Sequence, residues 1–277
     1  MRYLERKPGP ALSSWVDKLW YLSDAPQHAR ERILPSGTHE LVINLEEDEF
    51  RVYDSVDSER CRRLSGAMVS GAYARCFVID TREHASVLGV HFQPGGARPF
   101  FGLSARALAN THVDLESLWG RAARLLREQL CAAPSVERRF GILEAALARQ
   151  LSRFRPHAAL SVALRQLDAG AGVAEIAGQL SLSHRRLIEL FADDMGMTPK
   201  LYARVLRFQR AIASSSAGAP PWAELAALAG YADQSHLIRD WRAFSGLLPS
   251  EWASHRSVAV KQHHVAAPAR TGAETSR

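Results

Sequence analysis

The chain has little cysteine. It has three in 277 residues, Cys61, Cys76 and Cys131. They are widely spaced, odd in number and form no CxxC pair. This excludes a disulfide framework and a cysteine zinc site as organising features, and the thiols read as reduced, as in a cytoplasm. Long apolar runs are also missing. No uncharged stretch approaches the ~18 residues a membrane span needs. The opening Met1-Arg2-Tyr3-Leu4-Glu5-Arg6-Lys7 has no apolar signal core. The expectation is a cytoplasmic protein away from the membrane. No Gly-rich phosphate loop and no paired Ser/His/Asp pattern stands out, so no catalytic residue is assigned. The formal net charge of +6 suits a polyanionic partner, although the excess is modest. The length suffices for two domains, each with a sizeable core.

What is present, in the second half, is a duplicated unit. Val173-Ala174-Glu175-Ile176-Ala177 matches Trp222-Ala223-Glu224-Leu225-Ala226, 49 positions on. Leu187, Phe191, Gly196 and Pro199 match Leu237, Trp241, Gly246 and Pro249, 50 positions on. The slack of one residue falls at a turn, so the repeat is one of supersecondary units. In the first copy Val173, Ile176, Ala177 and Leu180 form an apolar stripe. Ser183 is a good N-cap for the next helix. Leu187, Leu190 and Phe191 give that helix a buried face, which leaves Ser183, His184, Arg185, Arg186 and Glu189 pointing outward. In the second copy Gly230 makes the turn, where it takes a positive φ without Cβ strain. Asp233 or Ala232 begins the next helix. Leu237, Trp241 and Phe244 are its buried stripe, and Gln234, Ser235, His236, Arg239 and Arg242 face out. A helix from Pro199 to about Ala211 joins the copies, packed by Leu201, Val205 and Phe208. Arg204, Arg207 and Arg210 are expected on its outer side, where they can meet phosphates. Two helix-turn-helix units in tandem can enter two successive major grooves.

The first hundred residues have a different texture. Glu40–Leu45, Glu49–Tyr53, Arg75–Asp80 and Ala85–Phe92 are short, β-branched or aromatic, and bounded by turn residues, so they read as strands. Pro35-Ser36-Gly37-Thr38 and Pro94-Gly95-Gly96 are turns. Many short strands suggest a small antiparallel barrel or sandwich. Glu46, Glu47, Asp48 and Glu49 read as a solvated hairpin tip. Helices follow. Asp114 can N-cap one with a stripe of Leu115, Leu118, Trp119, Ala122, Leu125, Leu126 and Leu130. Ser135 starts another with Phe140, Leu143, Leu147 and Leu151. An apolar stripe does not reveal its partner, so these helices either cover the barrel or form a dimer interface.

The segment from about Pro156 to Arg256 resembles the DNA-binding domain of AraC/XylS-type transcriptional regulators. The resemblance is carried by Leu182-Ser183-His184-Arg185-Arg186-Leu187, Gly196-Met197-Thr198-Pro199 and Leu206-Arg207-Phe208-Gln209-Arg210-Ala211. Ala229-Gly230-Tyr231-Ala232-Asp233-Gln234-Ser235-His236-Leu237, Trp241, Gly246 and Pro249-Ser250 complete it. It implies two helix-turn-helix units bridged by a long helix, each with a recognition helix in the major groove. Glu189 departs from the family pattern, which usually has a basic residue there; a carboxylate repels phosphates but can accept from cytosine N4. The first half looks like the cupin-type sensing half that often accompanies such a domain. Leu34-Pro35-Ser36-Gly37-Thr38-His39-Glu40-Leu41 and Val90-His91-Phe92-Gln93-Pro94-Gly95-Gly96 are the segments concerned.

The combined expectation is an α+β chain. A cupin-like antiparallel barrel occupies residues 1–110 and a helical connector residues 111–155. A DNA-binding domain occupies 156–256, with units at 173–195 and 222–245, and a disordered tail residues 257–277. The expected function is effector-responsive transcriptional regulation, with activation as the expected sign. Double-stranded DNA and a small molecule are the expected partners, with RNA polymerase and a second copy of the chain as further candidates. Thr38, His39, Glu40, Asn44 and His91 are the candidate effector residues, being polar among apolar strand positions. No cofactor is implied. The alternative from another class is a metal-dependent cupin enzyme fused to a DNA-binding module, with His39, Glu40, His84 and His91 as the constellation to test. A third reading is a regulator that answers to a protein partner instead of a small molecule. The constellation lacks the His-x-His pair that would put two ligands on one strand face. Bound stoichiometric metal would favour the enzyme.

Overall fold

The computed structural model describes residues 2–24, 30–55, 60–80, 85–154, 156–215, 220–255 and 264–266. Its first half contains two antiparallel sheets. Strands β1 (Arg2–Arg6), β2 (Val16–Ser23), β4 (Glu40–Asn44), β7 (Ala67–Ser70), β9 (Ser86–Phe92) and β10 (His112–Asp114) form a six-stranded sheet in the order β1-β2-β9-β4-β7-β10. Strands β3 (Glu31–Ile33), β5 (Glu49–Tyr53), β6 (Cys61–Ser65), β8 (Phe77–Ile79) and β11 (His264–Ala266) form the second, in the order β11-β3-β8-β5-β6. No strand is shared between them, so of the barrel or sandwich expected the barrel is not closed. Two sheets facing each other take its place.

Strand alternation sorts the side chains between two cores. Trp20, Val42, Met68 and Val87 of the first sheet meet Phe50, Val52, Leu64, Phe77 and Ile79 of the second. On the reverse face Leu19, Leu41, Ile43, Val69, Leu88, Val90 and Phe92 meet helices. Those helices are α1 (Arg98–Phe101), α2 (Leu115–Trp119), α3 (Arg121–Ala132) and α4 (Val136–Gln150). The helix expected from Asp114 is thus two, broken at Gly120, whose φ of +55° ends α2. Asp114 caps nothing with its side chain, which accepts from the Ser65 amide instead. Ser135 does cap α4, accepting from the Arg138 amide. The stripe of Leu126, Leu130, Phe140, Leu143 and Leu147 covers the sheet of its own chain.

The second half is helical: α5 (Ala158–Asp168), α6 (Val173–Gln179), α7 (His184–Met195), α8 (Pro199–Ser214), α9 (Trp222–Ala229), α10 (Gln234–Ser245) and α11 (Pro249–His255). The duplication is visible in the backbone. Ser181 (φ +53°) and Gly230 (φ +82°) are both left-handed and 49 positions apart. The N-caps Ser183 and Asp233, and the left-handed C-caps Gly196 and Gly246, are 50 apart. The extra residue of the second unit therefore lies between its left-handed turn and its N-cap, where it lengthens the turn without altering either helix. Two cores result. One joins α5, α6 and α7 to the start of α8; the other joins the end of α8 to α9, α10 and α11.

Of the stretch read as a disordered tail, 264–266 pairs with β3, and the remainder from 256 on lies outside the described residues. His84 also lies outside them.

Candidate nucleic-acid interface and sensor cavity

The first turns of α7 and α10 are exposed. On α7 Ser183 accepts from the Arg186 amide, and His184, Arg185 and Arg186 are exposed beside it. Glu189 is held between two of them. Arg185 Nε donates to its carboxylate at 2.9 Å and Arg186 lies at 3.7 Å. The carboxylate thus offsets charge on its own helix. On α10 Asp233 accepts from the His236 amide at 2.7 Å. Gln234, Ser235, Arg239 and Arg242 are exposed, while His236 is partly buried, edge-on to Tyr231. Arg239 Nε donates to the Ser235 carbonyl at 3.3 Å, which lays the side chain along the outer face. Beneath, Trp241 packs against Phe208, Trp222 and Trp252 and fixes the helix to its unit.

Two of the expected phosphate contacts are corrected by the structure. Arg204 does not face out. Its Nε and Nη2 donate to Asp240 Oδ1 at 3.1 and 2.7 Å, and its guanidinium lies 5.1 Å from the centre of the Phe244 ring. Arg207 lies over the Tyr231 ring at 5.4 Å with its Nε buried. Arg210 pairs with Asp168. Asp240 is buried in the second unit, so a cation from the bridging helix is required there before any is available to DNA.

The sheet half grips the opposite end of both α7 and α10. At the end of α7, Arg98 pairs with buried Asp194, and Arg106 pairs with Asp193, which also accepts from Ser104. At the end of α10 the Cys76 amide donates to the Phe244 carbonyl at 2.8 Å, and the Cys76 thiol donates to the Ser245 carbonyl at 3.1 Å. These bonds satisfy last-turn carbonyls that have no partner within the helix. Leu34 enters the second helical core beside Phe208 and Trp241. Gln209 donates to the Pro35 carbonyl. Gly37 lies against Tyr202 of α8: a Cβ at Gly37 would stand 3.0 Å from that ring, and its φ of +78° already favours glycine.

A cavity lies between the two sheets, next to these contacts. It holds about 680 Å³ of unfilled space, counting its open mouth, and its wall is mostly apolar, with Trp20, Val42, Met68, Tyr73 and Phe77 prominent. Leu34, Pro35 and Ser36 line it too, and so do Thr38 and Glu40. The five candidate effector residues do not come together. His91 is not part of the wall but reaches two residues that are, with Nε2 3.0 Å from Thr38 Oγ1 and 3.5 Å from Glu40. His39 is out of step with Glu40, fully buried, and absent from the wall, with no hydrogen bond to either ring nitrogen. Asn44 also falls outside it. Its Oδ1 accepts from the Glu46 and Glu47 amides, and its Nδ2 donates to the Glu49 carbonyl, so it organises the hairpin. Pairing order explains the correction: the wall recruits β2, β7 and β8, which are remote in sequence. Tyr73 and Ser70 were not foreseen. Ser70 lies 3.4 Å from His112 Nε2, and Tyr73 bonds to His112 Nδ1.

Among the described residues no three His, Cys, Asp or Glu side chains are placed to hold a metal ion, and no helix is long and apolar enough to cross a membrane.

Two buried imidazoles give the sheet half a pH dependence. Burial lowers His39 to about 4; burial, with Arg62 nearby, lowers His112 to about 3. Both lie below the ordinary ~6.5. Above that pH neither folded nor unfolded chain is protonated there, and the stability is full. Below it the unfolded chain takes up protons that the fold refuses. Unfolding free energy should therefore fall by roughly 1.4 kcal/mol per pH unit for each histidine, about 2.7 together, between pH ~6.5 and 5. Urea unfolding across that window checks it. His39→Leu should halve the slope; an unchanged slope refutes the assignment.

Two family models match separate parts of the chain. Residues 176–255 match the model of a helix-turn-helix domain. Residues 4–114 match a domain of unknown function (DUF6597), which covers both sheets up to β10. Solved structures similar to the chain include apo ToxT, as a point variant, from Vibrio cholerae strain SCE256. It has 10% identity and a TM-score of 0.48 over 89% of this chain and 98% of that one. Unsaturated fatty acid bound wild-type ToxT from the same strain has 10% identity and a TM-score of 0.46 over 91% and 96%. No curated protein matches the chain.

Proposed function

We propose that this chain is an AraC-type transcriptional regulator, that it binds a specific DNA site through α7 and α10, in two successive major-groove segments, and that occupancy of the cavity between the sheets changes how it does so. The observation that carries the first part is the matched geometry of the units. Their caps repeat at 50 residues, and the first two positions of each helix are exposed in both. His184, Arg185 and Arg186 form one reading edge, and Gln234, Ser235, Arg239 and Arg242 the other. The second part is supported by the cavity wall. Leu34 and Pro35 both line it and touch the AraC-type domain, and Cys76, bonded to the end of α10, sits next to Phe77 of the wall. A ligand that shifts either segment alters contacts on α8 or α10, so it has different affinities for different placements of the units. The protein acts in the cytoplasm, where its DNA is.

Footprinting on DNA selected for binding tests the two-segment reading. One chain is expected to protect two major-groove segments about one turn, ~10 bp, apart on one face. Protection of a single segment would show that α7, with Glu189 drawing on its arginines, stays off the DNA.

A further inference from the structure

α7 and α10 hold equivalent places in the duplicated units, but their charges are distributed differently. A helix favours acidic groups near its N-terminal end and basic groups near its C-terminal end. α7 reverses this at both ends. His184, Arg185 and Arg186 open it with no acid in the first turn, and Asp193 and Asp194 close it with no base in the last. Glu189 offsets part of the charge at the first end, and nothing on the helix offsets the other. α10 is capped by Asp233 and carries Arg242 in its last turn. Its buried Asp240 is paired by Arg204 of α8, inside the helical half. Asp194 is as deeply buried, and among the described residues its ion pair is with Arg98, from the sheet half. The second unit neutralises its own buried carboxylate. The first does not.

Arg98 is fixed in place for this pairing. It opens α1, which follows β9 through the Pro94-Gly95-Gly96 turn, and its guanidinium lies 4.3 Å from the centre of the Phe154 ring. The segment after it covers the same helix end. The Ser104 hydroxyl lies 3.3 Å from the Asp193 carbonyl and 3.1 Å from its carboxylate, and Arg106 pairs with that carboxylate. Gly196 ends α7 at a φ of +71°, and a Cβ there would stand 2.7 Å from the Ala105 carbonyl oxygen. Backbone fit and counter-charge thus meet at one end of one helix. Asp193 and Arg106 are both partly exposed, so water screens their pair. Asp194 has no such relief, and Arg98 carries its charge balance.

We infer that Arg98 is a positioning residue for α7: the first unit presents its reading edge to DNA only while the sheet half supplies this counter-charge, and the second unit needs none from it. The inference rests on the two-segment reading above and names the segment that the sheet half controls. Two outside charges complete α7, a phosphate at its first turn and Arg98 at its last. If the segment from Arg98 to Arg106 withdraws, a buried carboxylate is left unpaired at the negative end of the helix, and the last turns of α7 loosen.

The test compares Arg98→Ala with wild type in the full chain, first by amide hydrogen exchange without DNA and then by footprinting. Amides in the last turns of α7 are expected to exchange at least about tenfold faster in the variant, and those of α10 to stay within about twofold. On DNA the α7 segment should lose protection and the α10 segment keep it. Affinity for a site with both segments should fall to that for the α10 segment alone. Arg98→Met with Asp194→Leu removes both charges and should bring α7 exchange and protection back to within about twofold of wild type. A role confined to packing on Phe154 would leave the double variant as loose as the single one. Unchanged α7 exchange in Arg98→Ala, equal loosening of α7 and α10, or a double variant no better than the single one overturns the inference. The exchange arm needs no DNA, so it still decides if wild type protects one segment and the two-segment reading fails.

Discussion

Replacing Arg204 by alanine is expected to destabilise the second helix-turn-helix unit by about 2 kcal/mol and to leave the salt dependence of DNA binding unchanged. The reasoning starts at Asp240. Its side chain is 4% exposed and takes two hydrogen bonds on Oδ1 from Arg204. Removing one partner of a buried pair costs roughly 3–5 kcal/mol, because the remaining charge stays buried. The Arg204 side chain is 35% exposed, so solvent screens part of the attraction and the figure is set lower. Lost packing over Phe244 adds to it. Urea unfolding monitored by tryptophan fluorescence reads the stability, since Trp222, Trp241 and Trp252 all belong to this unit. Removing both charges, as Arg204→Met with Asp240→Leu, should recover most of the loss. A stable Arg204→Ala protein whose log–log salt slope falls by about one would instead identify a phosphate contact. That outcome would restore the expectation drawn from sequence.

The Arg204 case shows where sequence legibility ends. A helix periodicity places an arginine on a face; it does not say whether an aspartate 36 residues later will fold beneath it. The local devices of the helical half were legible because they are encoded within a few residues. Ser183 and Asp233 cap, Gly230 takes the left-handed turn, and the stripes of α7 and α10 bury as spaced. The sheets were only half legible. β4, β5, β8 and β9 carry apolar or alternating residues. β1, reading RYLER, and β6, reading CRRLS, are mostly polar and were missed. Both are edge strands, where charge is expected because it discourages pairing with another chain. The cavity suffered most. Glu40 and Thr38 could be picked as polar residues near a turn, but Ser70 and Trp20 come from strands whose adjacency is decided by pairing order, and Tyr73 from the loop between β7 and β8. Asn44 misled for a physical reason. An asparagine next to an acidic hairpin satisfies its own turn first, and here it uses both amide atoms to do so.

The largest effect on function is expected at Arg239. Among the cations of the second unit Arg204 and Arg207 are engaged within the fold, which leaves Arg239 and Arg242 on the exposed side of α10. Arg239 lies one turn beyond the exposed Gln234 and Ser235, on the edge opposite Leu237 and Trp241. Its present hydrogen bond is one 3.3 Å contact to the Ser235 carbonyl, which is cheap to exchange for a base or phosphate. Arg239→Ala should therefore weaken binding to the selected site by ~1–3 kcal/mol, roughly 5–150-fold, with little change in thermal stability. The two kinds of contact separate on control DNA. A base contact makes the loss specific to the selected sequence. A phosphate contact weakens scrambled DNA equally and lowers the salt slope by about one. Glu189→Ala on α7 supplies the complementary arm. It frees Arg185 and Arg186 from their shared carboxylate, and nonspecific affinity should rise. Arg239→Ala binding both DNAs as tightly as wild type would remove α10 from the interface, and with it the two-groove reading.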